Sequence, residues 1–320
     1  MTLEALQTST ATPEITSIFK NILVATDFSP ASQRATRDAL VLAARHHARV
    51  SLIHVLHRDR QYGALEQPPE LDLARADAEA QLKTLVSEMS AQQSVETILI
   101  KHGPVAEVVA AVIEERAIDL LVIGTRGRGG LRKLALGSVA EELLRVARCP
   151  VMTIGPKAAV PDTKKETDPR TIVFATDFGA GSLKAIPLAL DLAHASGATL
   201  VVVHMLSAMP ATTGSLSAYA PASAAADEVK EWTGASRTRA LNELKTCVSC
   251  HVPPGQEIKY VVGSDFLPEG LLTAAAKYNA GLIVMGANRT GAYRLAAHMP
   301  WSAVHEVIEH ATCPVLTVGV

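Results

Sequence analysis

Ile22-Leu23-Val24-Ala25-Thr26-Asp27-Phe28 returns as Ile172-Val173-Phe174-Ala175-Thr176-Asp177-Phe178, 150 residues further on. A short apolar run that ends on Thr-Asp-Phe and occurs twice marks an internal duplication, and self-similarity of this kind governs the architecture. The copies stay aligned beyond it. His54 is matched by His204 at the same offset, Leu82-Lys83-Thr84 by Leu244-Lys245-Thr246 at 162, and Cys149-Pro150-Val151 by Cys313-Pro314-Val315 at 164. The first growth in offset falls in the Ser/Ala/Pro-rich stretch 207–226, which reads as a loop insertion. The repeat thus covers nearly the whole chain, and 320 residues suit two domains of ordinary size.

Within each copy, short apolar runs bounded by Gly, Pro or Asp alternate with longer segments of helical period, the pattern of βαβ units. In the first copy the strands are expected at 21–26, 50–56, 95–101, 120–124 and 151–155. The helices are expected at 30–46, 69–89, 105–115 and 138–147. The reading is α/β: two tandem Rossmann-like, doubly wound domains, each with a five-stranded parallel sheet. Right-handed crossovers limit the strand orders available, and a doubly wound sheet takes its ligand at the carboxyl ends of strands where the winding reverses. Asp27 and Gly124 stand at such ends. The Pro- and charge-rich stretch 156–169 lacks periodicity and reads as a linker. The division is 1–17 as a flexible N-terminus, 18–155, the linker, and 170–320.

Composition agrees with this architecture. The chain is 48% hydrophobic but only 4% aromatic, the aliphatic usage of parallel sheets covered by helices. A formal charge of −2 gives no global field for nucleic acid or an anionic membrane. No apolar run reaches the ~20 residues that cross a bilayer. The polar start lacks the basic end and apolar core of a signal peptide, so a cytoplasmic location is expected. The 4 cysteines do not make a disulfide framework and are expected as free thiols.

The stretch richest in chemistry is Gly124-Thr125-Arg126-Gly127-Arg128-Gly129-Gly130, followed by Leu136-Gly137-Ser138-Val139-Ala140. Glycines let backbone amides converge on an anion, a helix N-terminus adds free N–H groups and partial positive charge, and Arg126 and Arg128 add cationic donors. Ser138 is expected as the N-cap of the following helix, with Glu141 completing a capping box. A P-loop or a dinucleotide fingerprint would follow the first strand, and neither occurs at residues 25–32. Here the loop follows the fourth strand.

That placement and the spacing Gly124-x2-Gly127-x9-Gly137-Ser138 resemble the ATP-binding signature of the universal stress protein family. The Ala-Thr-Asp-Phe-Ser start and the Cys-Pro-Val end are similar to it as well, and the match extends over both halves. The resemblance implies that the main chain at Ala25, Thr26 and Asp27, with Val55, faces adenine and ribose. It implies that Gly124 to Gly130 wrap ribose and phosphates, and that Gly137, Ser138 and Val139 hold the outer phosphates with a Mg2+ ion carried by them. In the second copy Gly286 is kept, but Arg289 replaces the second glycine and Trp301, or Met299 and Pro300 in an ungapped alignment, the third. The nest is lost there, so one nucleotide site per chain is expected.

Other candidates read as structural. Cys247-Val248-Ser249-Cys250-His251 spells a haem-attachment motif, yet Cys247 matches Leu85 in the repeat, and a second ligand pair for zinc is missing. Asp27 and Asp177 stand without a paired acid or base. His54 and His204 lie in apolar strands and are expected as satisfied interior histidines. Cys149 and Cys313 are expected to be buried. Neighbouring His46 and His47 point about 100° apart on a helix and are expected on a solvated face.

The expectation is a non-enzymatic, ATP-binding protein of nucleotide-dependent stress response or signalling. A ligand-free interaction module and a weak ATPase are the alternatives. The resemblance further implies that the two copies pair through their fifth strands, 151–155 against 315–319, and that a second chain joins to form a homodimer.

Overall fold

A computed structural model of the chain describes residues 17–56, 68–88, 95–125, 136–159, 170–206, 222–264, 266–287 and 301–319. The first half runs β1 (Asn21–Ala25), α1 (Pro30–His46), β2 (Arg49–Leu56), α2 (Pro68–Glu88), β3 (Val95–His102), α3 (Val105–Glu115), β4 (Leu120–Gly124), α4 (Ser138–Val146) and β5 (Val151–Ile154). The second repeats it as β6 (Thr171–Ala175), α5 (Ala180–Ser196), β7 (Thr199–Met205), α6 (Ala222–Ser249), β8 (Ile258–Gly263), α7 (Leu267–Lys277), β9 (Leu282–Ala287), α8 (Trp301–His310) and β10 (Val315–Gly319).

All ten strands join one sheet in the order β3-β2-β1-β4-β5-β10-β9-β6-β7-β8. Within each half every pairing is parallel. The halves meet where β5 pairs antiparallel with β10, Met152 opposite Leu316. The expected pairing of fifth strands is therefore present, and it removes two sheet edges that would otherwise template association. Thr317 Oγ1 donates to the Val151 carbonyl across this seam at 3.2 Å.

Two cores run the length of the molecule, one on each face of the sheet. One is built from α3, α4, α7 and α8 through residues such as Val109, Leu143, Leu271 and Val307. The other is built from α1, α2, α5 and α6 through Ala39, Leu82, Ala189 and Leu244. Strands buried on both faces carry continuous aliphatic runs rather than alternation, as in the wholly buried Ile22-Leu23-Val24 and Leu120-Leu121-Val122.

One local expectation is corrected, that for His46, and the ends of two segments expected outside the domains are docked. Ser17 is part of the fold, its hydroxyl donating to the carbonyls of Phe19 and His46. His46 is 6% exposed with its ring edge-on to Phe19, so only His47, the left-handed C-cap of α1, faces water. The first four residues of the expected linker are docked: Ala158 is buried and the Ala159 amide donates to Thr312 of the second half at 2.7 Å.

Candidate functional site

In the first half the strand order reverses between β1 and β4, which are neighbours, so the winding change opens at the carboxyl ends of these two strands. Ala25 closes β1 and Gly124 closes β4. Val55 lies near the end of the adjoining β2. Thr26, Asp27 and Thr125 continue from these ends, and the chain returns to α4 beside them, because the Gly137 amide donates to the Thr125 carbonyl at 2.8 Å. Ala25, Thr26, Asp27, Val55, Gly124, Thr125, Gly137, Ser138 and Val139 thus share one edge of the sheet. Arg126, Gly127, Arg128, Gly129 and Gly130 lie outside the described residues.

The turn from β1 into α1 is tightly specified. Thr26 is buried; its amide donates to Ile53 at 2.9 Å, and its hydroxyl accepts from Phe28 N–H and bonds Ser32 Oγ. His54 Nδ1–H donates to the Thr26 carbonyl at 2.8 Å, and the Phe28 ring leans on the imidazole at 4.6 Å. Asp27 accepts the Ser29 amide, and Ser29 caps α1 by accepting from Ser32 N–H. Phe28 takes φ 63°, a left-handed conformation unusual for an aromatic residue. Thr26 is accordingly framework, with its polar groups spent on the turn.

The second half repeats the device. His204 Nδ1–H donates to Thr176 at 2.9 Å, Phe178 stacks at 4.4 Å with φ 59°, and Ser182 Oγ donates to Asp177 at 2.6 Å. The expectation of satisfied histidines holds for both. Ser29, Ser32 and Ser182 were not singled out from the sequence, although Ser32 and Ser182 stand at the 150-residue repeat offset.

The two glycines of the signature that are described have different causes. A Cβ on Gly124 would lie 2.6 Å from the Ala31 carbonyl carbon and 2.8 Å from Ser32 N. A Cβ on Gly286 would lie 2.2 Å from Ser182 N. Both strand ends abut the backbone of a helix's first turn, so both halves require glycine there for packing. Among the described residues a Cβ at Gly137 would meet only the Thr125 carbonyl oxygen, at the ordinary distance of 3.4 Å.

The helix α4 is capped differently from the expectation. Gly137 is the N-cap, with no side-chain hydrogen bond, and Ser138 is the first helical residue. Glu141 pairs with Arg145 at 2.7 Å rather than reaching back. Ser138 and Val139 are exposed, and amides in the first turn have no intrahelical acceptor. Beside them Thr125 is buried, the residue only 1% exposed, and its hydroxyl has no hydrogen-bond partner among the described residues.

The remaining thiols follow the repeat. Cys149 and Cys313 are buried, and burial pushes the Cys313 thiol up to about 12. Cys247 packs against the core under α6, as Leu85 does under α2, and its thiol is raised by burial, then by Glu243 and Cys250. Among the described residues no group of three or more His, Cys, Asp or Glu side chains is placed to hold a metal ion. None of the described helices is long and apolar enough to cross a membrane.

A family model described as the universal stress protein family matches the chain twice, at residues 18–155 and 169–319. Universal stress protein A homolog 1 of Coxiella burnetii is 36% identical over 146 residues, 42% of this chain and 96% of that protein. A universal stress protein of Thermus aquaticus is 34% identical over 143 residues, 43% of this chain and 99% of its own length. A crystal structure of a universal stress protein from Archaeoglobus fulgidus superposes with a TM-score of 0.66 at 18% identity, covering 95% of this chain and 97% of that one. The relatives from Coxiella and Thermus are each matched over nearly their whole length by less than half of this chain, whereas the Archaeoglobus structure is matched along both halves. The chain belongs to the universal stress protein family and carries two copies of its domain in tandem.

Proposed function

We propose that the first domain binds an adenine nucleotide, ATP with Mg2+ carried on its phosphates, at the carboxyl edge of β1 and β4. The protein then acts in nucleotide-dependent stress response or signalling rather than as an enzyme. The observation that carries this reading is Gly137. Its φ of −70° suits any residue, a Cβ there has room among the described residues, and Ser, Asp or Asn would cap α4 slightly better. Neither the packing of the described residues nor capping requires glycine in particular, so its use fits a ligand that approaches the bare backbone. The uncapped amides of Ser138 and Val139 suit phosphate oxygens, and the unpartnered Thr125 hydroxyl offers one more donor. In the second domain Trp301 stands at the corresponding position and Arg289 replaces the glycine equivalent to Gly127, so that domain serves as the fixed partner.

The test is the nucleotide content of the purified protein, released by denaturation and quantified by chromatography, followed by thermal unfolding with added Mg-ATP. Roughly equimolar ATP, or a gain in stability near ~2.7 kcal/mol at a hundredfold excess over Kd, is expected. A protein that purifies empty and is not stabilised by ATP, AMP or cyclic nucleotide would refute the proposal and favour a ligand-free interaction module. Sustained phosphate release from ATP would instead establish the ATPase alternative.

A further inference from the structure

The chain leaving the first domain does not swing free. Gly155 passes so close to α8 that a Cβ on it would lie 2.4 Å from the Ile308 carbonyl oxygen. Ala158 is buried in the core under α1 and α5, and the Ala159 amide donates to Thr312, just before β10. From the other side Arg34 of α1 holds the same segment, with Nη1 donating to the Ala158 carbonyl and Nη2 to the Ala159 carbonyl. Its Nε faces Asp38 at 4.0 Å, and the two side chains are only 16% and 7% exposed. The Asp38 oxygens and Arg34 Nε have no hydrogen-bond partner, so Asp38 serves Arg34 by charge alone.

The fold does not ask for this pair. At the repeat positions in α5 stand Lys184 and Leu188, and that helix packs on its sheet in the same way. A buried ion pair contributes little net stability, and its best-attested use is to specify one arrangement among several. The arrangement specified here is the seat of the segment 155–159 between the two domains.

The first turn of α1 is also the wall of the candidate site. Ser32, two residues before Arg34, bonds Thr26, Ser29 and the Asp27 amide, and Ala31 and Ser32 abut Gly124. We infer that Arg34 is a positioning residue that clamps the inter-domain segment and transmits the state of the strand-end site in the first domain to the junction with the second. The transmission rests on the nucleotide reading above; the clamp itself does not. A ligand that orders or shifts the first turn of α1 acts on Ala158 and Ala159 through a contiguous rigid path.

The experiment is hydrogen exchange of the Ala158 and Ala159 amides in the full chain, with and without Mg-ATP, together with ATP affinity by calorimetry. Arg34→Lys keeps the charge beside Asp38 but cannot fork across two carbonyls. The double variant Arg34→Gln with Asp38→Asn removes both charges, so neither remains buried alone. Both variants are expected to exchange about fivefold faster or more at Ala158 and Ala159, with the strand amides unchanged. In the wild type ATP is expected to slow that exchange. The variants are expected to lose that slowing by ATP, because the coupling between the site and the segment runs through the Arg34 contacts. Unaltered exchange in both variants would overturn the clamp. Faster exchange with an ATP response equal to that of the wild type would overturn the transmission. Failure of ATP to bind the wild type at all would sink the nucleotide reading and the transmission with it, while faster exchange in the ATP-free variants would still establish the clamp.

Discussion

Asp38 gives a quantitative test of the buried pair on α1. Its side chain is 7% exposed, and burial raises its carboxyl from 3.8 to about 6, against the opposing pull of Arg34 and Arg37. The folded protein therefore holds this proton more tightly than the unfolded chain does. The stability contributed by the protonated form is complete below about pH 4 and is lost as the pH rises through about 6. At about 1.4 kcal/mol per pH unit, the gap between 3.8 and about 6 amounts to about 3 kcal/mol above neutrality. Asp38→Asn cannot titrate, so the variant should gain on the wild type by about 2–3 kcal/mol between about pH 4 and pH 7.5. The pull of Arg34 is already contained in that shift, so the only pH-independent offset is the exchange of a neutral acid for an amide, and the slope stays intact. Urea unfolding of both proteins across the range measures it. A stability difference that stays flat with pH, or that moves against the variant as the pH rises, would refute the assignment of Asp38 as a buried carboxyl under strain.

Four further outcomes follow from the site. Gly124→Ala and Gly286→Ala each force a Cβ against helix backbone and should cost about 1–3 kcal/mol in unfolding free energy; a silent Gly286→Ala would show that this glycine is not there for packing. Gly137→Ala should cost about 0.5–1 kcal/mol as a poorer N-cap while reducing ATP affinity in calorimetry, and unchanged affinity would remove the main support for the nucleotide proposal. Ser138→Ala should also be nearly neutral to stability, since Ser138 does not cap α4; a loss of about 1 kcal/mol in thermal unfolding would restore the cap. Gly127→Arg, which copies Arg289 of the second domain, should abolish bound nucleotide in the purified protein without lowering the midpoint of the ligand-free form.

Most of the architecture was legible because duplication supplied an internal control. Helix boundaries at Pro30, Val105 and Ser138 coincide with those of the structure, since proline, glycine or a change of period marks each one. The capping of α4 differs because Ser138-Val139-Ala140-Glu141 spells a capping box, while the chain, tied by the Gly137 amide to Thr125, enters the helix one residue earlier, with Gly137 as the cap. His46 was misread for a different reason. Its surroundings come from Phe19 and Ser17, and no periodicity on the helix itself reports a partner 27 or 29 residues away. The Arg34 clamp left no signal in either motif or period, because its acceptors are backbone carbonyls.

What the two halves share and where they differ separates fold from function more sharply than either half alone. Thr26 with Thr176, His54 with His204, the left-handed Phe28 with Phe178 and Gly124 with Gly286 recur because the strand-to-helix turn cannot close without them. Gly137 against Trp301, Gly127 against Arg289, Arg34 against Lys184 and Asp38 against Leu188 differ, although each half contributes five strands to the one sheet and packs into the same two cores. A residue that one copy of a fold discards without loss of packing is not held by packing in the other. In the first domain two of these residues, Gly137 and Arg34, fall around a single feature, the carboxyl edge of β1 and β4 with the first turn of α1 as its wall, and Asp38 stands behind Arg34. The asymmetry of the tandem is thus concentrated where a ligand would enter and where its presence would be felt by the second domain, which is the arrangement expected of one responsive half set against one fixed half.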